Sequence, residues 1–140
     1  LAALRLDLLR SEVTFLRAGH LPLLHYNSLS REVNLHQPPG LGIGLDRHAF
    51  AEQLAETSIF VRGGDVLVLL TDGITEAENE SGQQLGMDGV VACLQRSADA
   101  SADGIKHALL DCVSAWAGAR ERTDDQTLVV VKFSPVHTGG

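Results

Sequence analysis

Basic residues are scarce in this chain of 140 residues: 11 Lys and Arg stand against 18 Asp and Glu, a formal net charge of −7. That sign argues against a nucleic-acid backbone or an anionic membrane as the main partner. Cysteine is nearly missing. Cys93 and Cys112 have no CxxC spacing, so neither a disulfide framework nor a zinc site is expected. Long apolar runs are missing too, since stretches such as Val66–Leu70 are far too short to span a bilayer. No basic segment followed by an apolar one opens the chain, so nothing marks it for secretion. What is present is enough apolar sequence, 44%, to bury a core, in a length that suits one domain. An acidic, soluble, cytoplasmic single domain is the expectation. Residue 1 is Leu rather than Met and lies in an apolar-rich segment, which suggests a piece of a longer protein.

The first half reads as β. Leu4, Leu6 and Leu8 alternate with Arg5 and Asp7, and Ser11-Glu12 suits a turn before Val13–Leu16. Leu23–Tyr26 and Glu32–Leu35 continue the extended pattern around Asn27-Ser28. Short strands with short polar turns predict antiparallel hairpins rather than βαβ crossovers. Pro38-Pro39-Gly40 and Leu41-Gly42-Ile43-Gly44 exclude a regular element and predict a shaped loop. Residues 51–61 read as extended, Gly63-Gly64-Asp65 as a turn, and Val66–Leu70, with no polar position, as a strand covered on both faces. Then the period changes. Met87, Val90, Val91 and Leu94 mark one helix face. Ser101 is a candidate N-cap for a second helix with Ile105, Ala108, Leu109, Cys112, Val113 and Trp116 as its apolar stripe, closed by Gly118. Leu128–Phe133 is a final buried strand, which gives an α+β order.

Acidic residues fall at the ends of the two most apolar strands. Asp72 follows Val66–Leu70 and precedes Gly73, while Asp124 and Asp125 come just before the final strand. If these strands are antiparallel neighbours, the carboxylates share one sheet edge, within reach of one ion. Carboxylate oxygens without His or Cys select Mg²⁺ or Mn²⁺ over Zn²⁺. Gly73 lets the backbone approach closely, which suits a carbonyl or water ligand there. Asp-Gly is also a turn dipeptide, although Ile74–Glu78 is no matching strand for a hairpin, and Asp124-Asp125 is also a plain polar turn. Glu76, Glu78 and Glu80 read as a solvated helix face. Spacing alone leaves a metal site and polar turns both open.

Several blocks together carry a resemblance: Gly64–Ala77 with its Thr71-Asp72-Gly73, Ala18-Gly19-His20-Leu21-Pro22, Leu41–Gly44, Gly82–Gly86 and Thr123-Asp124-Asp125-Gln126-Thr127. In that order they resemble the metal-dependent PP2C-type phosphatases of the bacterial SpoIIE/RsbU branch, over about Leu4 to Phe133. The resemblance implies an α-β-β-α sandwich, antiparallel sheets flanked by helices, with two Mn²⁺ or Mg²⁺ ions at one end of the intact domain. Residues 1–140 would be a single phosphatase domain lacking its N-terminal part, including the family's first metal motif, D-(V/M)-x-G-H-G. Asp72 and Asp125 correspond to ligand and catalytic positions, with Gly73 beside them at the metal. The reaction implied is hydrolysis of phosphoserine or phosphothreonine in a protein by metal-activated water. The substrate implied is a phosphorylated anti-sigma-factor antagonist of the STAS type, and a sensor or receiver domain is implied upstream.

The competing expectation is a non-catalytic PP2C-like module that binds a phosphoprotein or dimerises, since a shortened domain exposes strand edges. A HAD-type phosphatase would need an early D-x-D after a strand, which the sequence lacks. His20 reads first as a residue fixing the Ala18-Gly19-His20 turn. Cys112 and Trp116 read as core packing, and His36, His48 and His107 as surface residues.

Overall fold

Period-two alternation over the first 36 residues becomes two hairpins. The computed structural model describes residues 1–40, 54–120 and 124–135. Strand β1 (Ala2–Asp7) pairs with β2 (Glu12–Arg17), setting Leu4 opposite Phe15 and Leu6 opposite Val13. Strand β3 (Leu23–Asn27) pairs with β4 (Glu32–His36) in the same way. Then come β5 (Glu56–Phe60), β6 (Val66–Leu70), a single helical turn α1 (Asp72–Thr75), helices α2 (Gly86–Ser97) and α3 (Ala102–Ala117), and β7 (Leu128–Lys132). All pairings are antiparallel, giving sheets ordered β1-β2-β5 and β4-β3-β6-β7.

The pleat of β6 separates two cores. Leu67 packs with Val13, Phe15, Leu23 and Ile59 between the sheets. Val66, Val68 and Leu70 point the other way, onto Val90, Leu94, Ile105, Leu109 and Val113 of α2 and α3. Both faces of β6 are therefore covered, as its unbroken apolar run predicts. Each fully buried side chain of this size contributes about 1.5–3 kcal/mol. Ser101 caps α3 by accepting a hydrogen bond from the Gly104 amide at 3.1 Å, and Gly118 (φ 60°) ends it.

Several expectations are corrected. β7 is not buried: it forms the edge of its sheet, and Val129 is 51% exposed. Leu8 lies beyond β1 in the turn and faces solvent. The layering agrees with the expected sandwich: among the described residues helices cover one face of the four-stranded sheet and the second sheet packs on the other. Cys93 and Cys112 are joined by a disulfide from α2 to α3, with Cα atoms 6.6 Å apart. Spacing arithmetic missed it because the two residues sit on facing sides of separate helices. Trp116 leaves the apolar stripe and is partly exposed. The predicted loop at Leu41–Gly44, residues 51–53 and His48 lie outside the described residues.

Candidate active site

The last rung of the β6–β7 ladder sets Leu70 opposite Leu128. Just past it, the chain leaves β6 as Thr71-Asp72-Gly73 and enters β7 from Asp125-Gln126-Thr127. The two segments are fastened together. The Thr71 amide donates to the Thr127 carbonyl, and the Thr71 hydroxyl accepts from the Thr127 amide, both at 3.0 Å. The same hydroxyl lies 3.4 Å from the Asp125 carbonyl oxygen. The Gln126 side-chain amide donates to the Gly73 carbonyl at 3.3 Å. A Cβ at Gly73 would fall 2.3 Å from the Asp125 carbonyl oxygen, so only glycine allows this approach. The close approach at Gly73 is to the Asp125 backbone. Asp72 and Asp125 are both exposed, and among the described residues no hydrogen bond or ion pair engages either carboxylate.

Behind Asp72 the backbone is fixed by α1: the Glu76 amide and the Thr75 hydroxyl both donate to the Asp72 carbonyl, at 2.8 and 3.1 Å. Beside it is a cavity of about 240 Å³ lined by Gly19, His20, Leu21, Thr71 and Asp72. Arg17 braces the segment that forms one wall, donating to the carbonyls of Pro38 (2.8 Å) and His20 (2.7 Å), while Gly19 takes φ 62°. His20 Nδ1 lies 3.3 Å from the Leu21 carbonyl. A carbonyl only accepts, so that bond puts the hydrogen on Nδ1 and leaves Nε2 as the acceptor in the neutral ring. His20 thus fixes its turn, as expected, and also lines the cavity beside Asp72.

The loop after α1 is held from a distance. Trp116 donates its indole N–H to the Gln83 carbonyl at 3.0 Å, and Arg120 pairs with Glu78 at 2.6 Å. Glu78 therefore belongs to an anchored loop rather than a solvated helix face, and Trp116 serves as a tether. Asp124 accepts from the Asp125 amide at 2.7 Å, as a turn residue does.

A polar cluster at the other end of β6 escaped the sequence reading. Asp65 is fully buried. It accepts from His25 Nε2 (3.0 Å), the Ser28 amide and hydroxyl (both 2.8 Å) and the Arg62 amide (3.2 Å). Burial alone would raise its pKa, but these four bonds outweigh that and hold the carboxyl below its usual range. In sequence, Asp65 looked like a turn residue and His25 like an ordinary strand position. His36, expected at the surface, is half-buried and stacks on His25 with ring centroids 5.6 Å apart. Burial, and then repulsion from His25, pushes His36 below its usual value of 6.5. The unfolded chain therefore takes up this proton first as pH falls. The stability involved is complete above 6.5 and lost as pH drops toward the folded value. His36→Asn is expected to flatten the fall in melting temperature just below pH 6.5, read by circular dichroism. An unchanged slope would remove His36 from the cause.

Among the described residues no group of three or more His, Cys, Asp or Glu is placed to hold a metal ion. Asp72, Asp125 and the Gly73 carbonyl nevertheless offer hard oxygen donors at adjoining strand ends, the donor type that Mg²⁺ and Mn²⁺ take. They fit as part of a coordination shell.

The arrangement is similar to known structures. The SiaA-PP2C domain of Pseudomonas aeruginosa is 20% identical, with a TM-score of 0.76 over 95% of this chain and 51% of that one. The phosphatase domain of the cell-fate determinant SpoIIE from Bacillus subtilis, presoaked with Mn, is 19% identical (TM-score 0.68; 96% of this chain, 56% of that one). The RsbU and RsbW domains of a Mycobacterium tuberculosis protein are 21% identical (TM-score 0.71; 96% of this chain, 36% of that one). No curated protein matches the chain. The chain spans about half the length of the first two structures, and the likeness defines its class: it has the fold of the PP2C-type phosphatases. The family model described as stage II sporulation protein E (SpoIIE) matches residues 1–134, and the chain belongs to that family.

Proposed function

We propose that this chain is the part of a Mg²⁺- or Mn²⁺-dependent protein serine/threonine phosphatase that carries Asp72 and Asp125 as metal ligands. The observation that carries this reading is the junction of Thr71–Gly73 with Asp125–Thr127, which sets two unengaged carboxylate residues on paired strand ends beside a cavity. Asp72 and Asp125 bind the ion, with the Gly73 carbonyl beside them; Thr71 and Gln126 hold the two segments in register. Bound there, the ion supplies Lewis acidity and a water of lowered pKa. Gly19, His20 and Leu21 wall the space in which a phosphorylated side chain sits. The remaining ligands come from water and, by the family resemblance, from an Asp motif upstream in the parent protein.

The substrate class that fits is a phosphorylated regulatory protein, an anti-sigma-factor antagonist of the STAS type. The setting is cytoplasmic signalling with a sensor or receiver domain upstream. The resemblance to an RsbU domain supports that assignment. Among the described residues no helix is long and apolar enough to cross a membrane. The second reading, a non-catalytic module that binds a phosphoprotein or a second copy, is favoured by one observation: no cluster of three metal-ligating side chains among the described residues.

Calorimetric titration with Mn²⁺ separates the two. Binding by the unaltered chain, lost in both Asp72→Asn and Asp125→Asn, is the expected result. Variants that bind as well as the original would overturn the assignment of these residues. No binding by the unaltered chain would favour the non-catalytic module.

A further inference from the structure

The chain's two cysteines lie at the interface of the two long helices, outside the site described above. Cys93 is buried in the same core as Leu94, Ile105 and Leu109, whereas Cys112 is only half-buried. The Cα separation of 6.6 Å is within the span a disulfide bridges. Arg96, one helical turn after Cys93, sets its guanidinium 3.2 Å from Cys93 Sγ and 3.9 Å from Cys112 Sγ. Among the described residues the two sulfurs are the side-chain partners of Arg96; no carboxylate neutralises it. A bond with a purely mechanical role gains little from a fixed cation over its sulfurs. A thiolate gains a great deal, because the charged sulfur is the nucleophile and the leaving group in thiol–disulfide exchange.

We propose that Cys93–Cys112 is an exchange-active pair, opened and closed by small thiols and disulfides of the glutathione class, with Arg96 stabilising the thiolates. In opening, a small thiolate attacks Sγ of Cys112, the more accessible sulfur. A mixed disulfide forms there and Cys93 leaves as a thiolate beside Arg96. A second small thiolate attacks the small-molecule sulfur of the mixed disulfide and releases Cys112. Two small thiols become one small disulfide, and the protein disulfide becomes two thiols; closing is the reverse. The closed bond ties α2 to α3, the layer on which Ile74 of α1 packs. The oxidation state therefore bears on the rigidity of the support beneath Asp72. None of this rests on the phosphatase reading.

The test uses the full chain equilibrated in mixtures of reduced and oxidised glutathione, quenched in acid, alkylated, and weighed intact. Two alkylated cysteines under reducing mixtures and none under oxidising ones are expected. Cys93→Ser should trap a glutathione adduct on Cys112, and Arg96→Gln should close severalfold more slowly near neutral pH. A pair that stays bonded in excess reduced glutathione would overturn the proposal. So would a pair that stays open in excess oxidised glutathione, or Arg96→Gln closing at the original rate.

Discussion

Asp65→Ala is expected to cost about 3–5 kcal/mol, the range for breaking one side of a buried pair. For a chain of this size that lowers the melting temperature by on the order of 10 °C. The reason lies in what would be stranded. Asp65 is fully buried and accepts from two backbone amides, a serine hydroxyl and a histidine. Truncation leaves the Ser28 and Arg62 amides and Nε2 of His25 without the acceptor they share, where water reaches poorly. It also releases the β3–β4 turn from the start of β6, because the Ser28 bonds join the two. The pH dependence adds a check. Asp65 has its folded pKa depressed below 3.8, so its stabilisation is present above that value and lost as pH falls through the folded one. The deficit of Asp65→Ala should be full at neutral pH and shrink in strong acid. Melting curves within a degree or two of the original at neutral pH would refute the account.

Gly73→Ala should weaken Mn²⁺ binding roughly 10–100-fold, the usual loss when the support of a metal ligand is disturbed. Two effects of opposite sign meet at this residue. Gly73 lies in α1, where alanine is intrinsically favoured by about 1 kcal/mol. Against that, the new Cβ would lie 2.3 Å from the Asp125 carbonyl oxygen, and backbone cannot swing aside as a side chain can. The Asp125 segment must move away from Asp72, also stretching the Gln126 bond to the Gly73 carbonyl. Affinity is therefore expected to fall far more than the melting temperature. Calorimetry beside a thermal melt reads both, and full-strength binding by Gly73→Ala would show that the close approach does not shape the site.

How much of this was legible depended on whether the signal was local. Alternation in Leu4–Asp7 and Glu32–Leu35, the stripe of Met87, Val90, Val91 and Leu94, and the cap at Ser101 are local, and all became the elements they predicted. The junction of Asp72 with Asp125 was also legible, because it needs only two antiparallel strands with acidic residues at matching ends. Pairings that depend on distant partners were not. His25 and Asp65 are 40 residues apart, and neither neighbourhood betrays the other. Cys93 and Cys112 meet only because α2 and α3 pack. The valines of β7 read as buried because a sequence states how apolar a strand is, not whether a neighbour lies on its far side. Trp116 continued the apolar stripe in sequence, yet its indole N–H found a carbonyl in a loop 33 residues away.

The fastening of Gly73 to Gln126 spans 53 residues, with both long helices inside the loop it closes. The two halves of the site meet where β7 pairs with β6, across the stretch of chain that holds α2 and α3. Closing a loop of that length is paid in chain entropy, and such non-local pairing comes late in folding. A cation gripped by both carboxylates would act as a latch on the final strand. Stripping it should loosen β7 first, so that amide exchange at Val129 and Val131 would report occupancy of the site before any change in the helices.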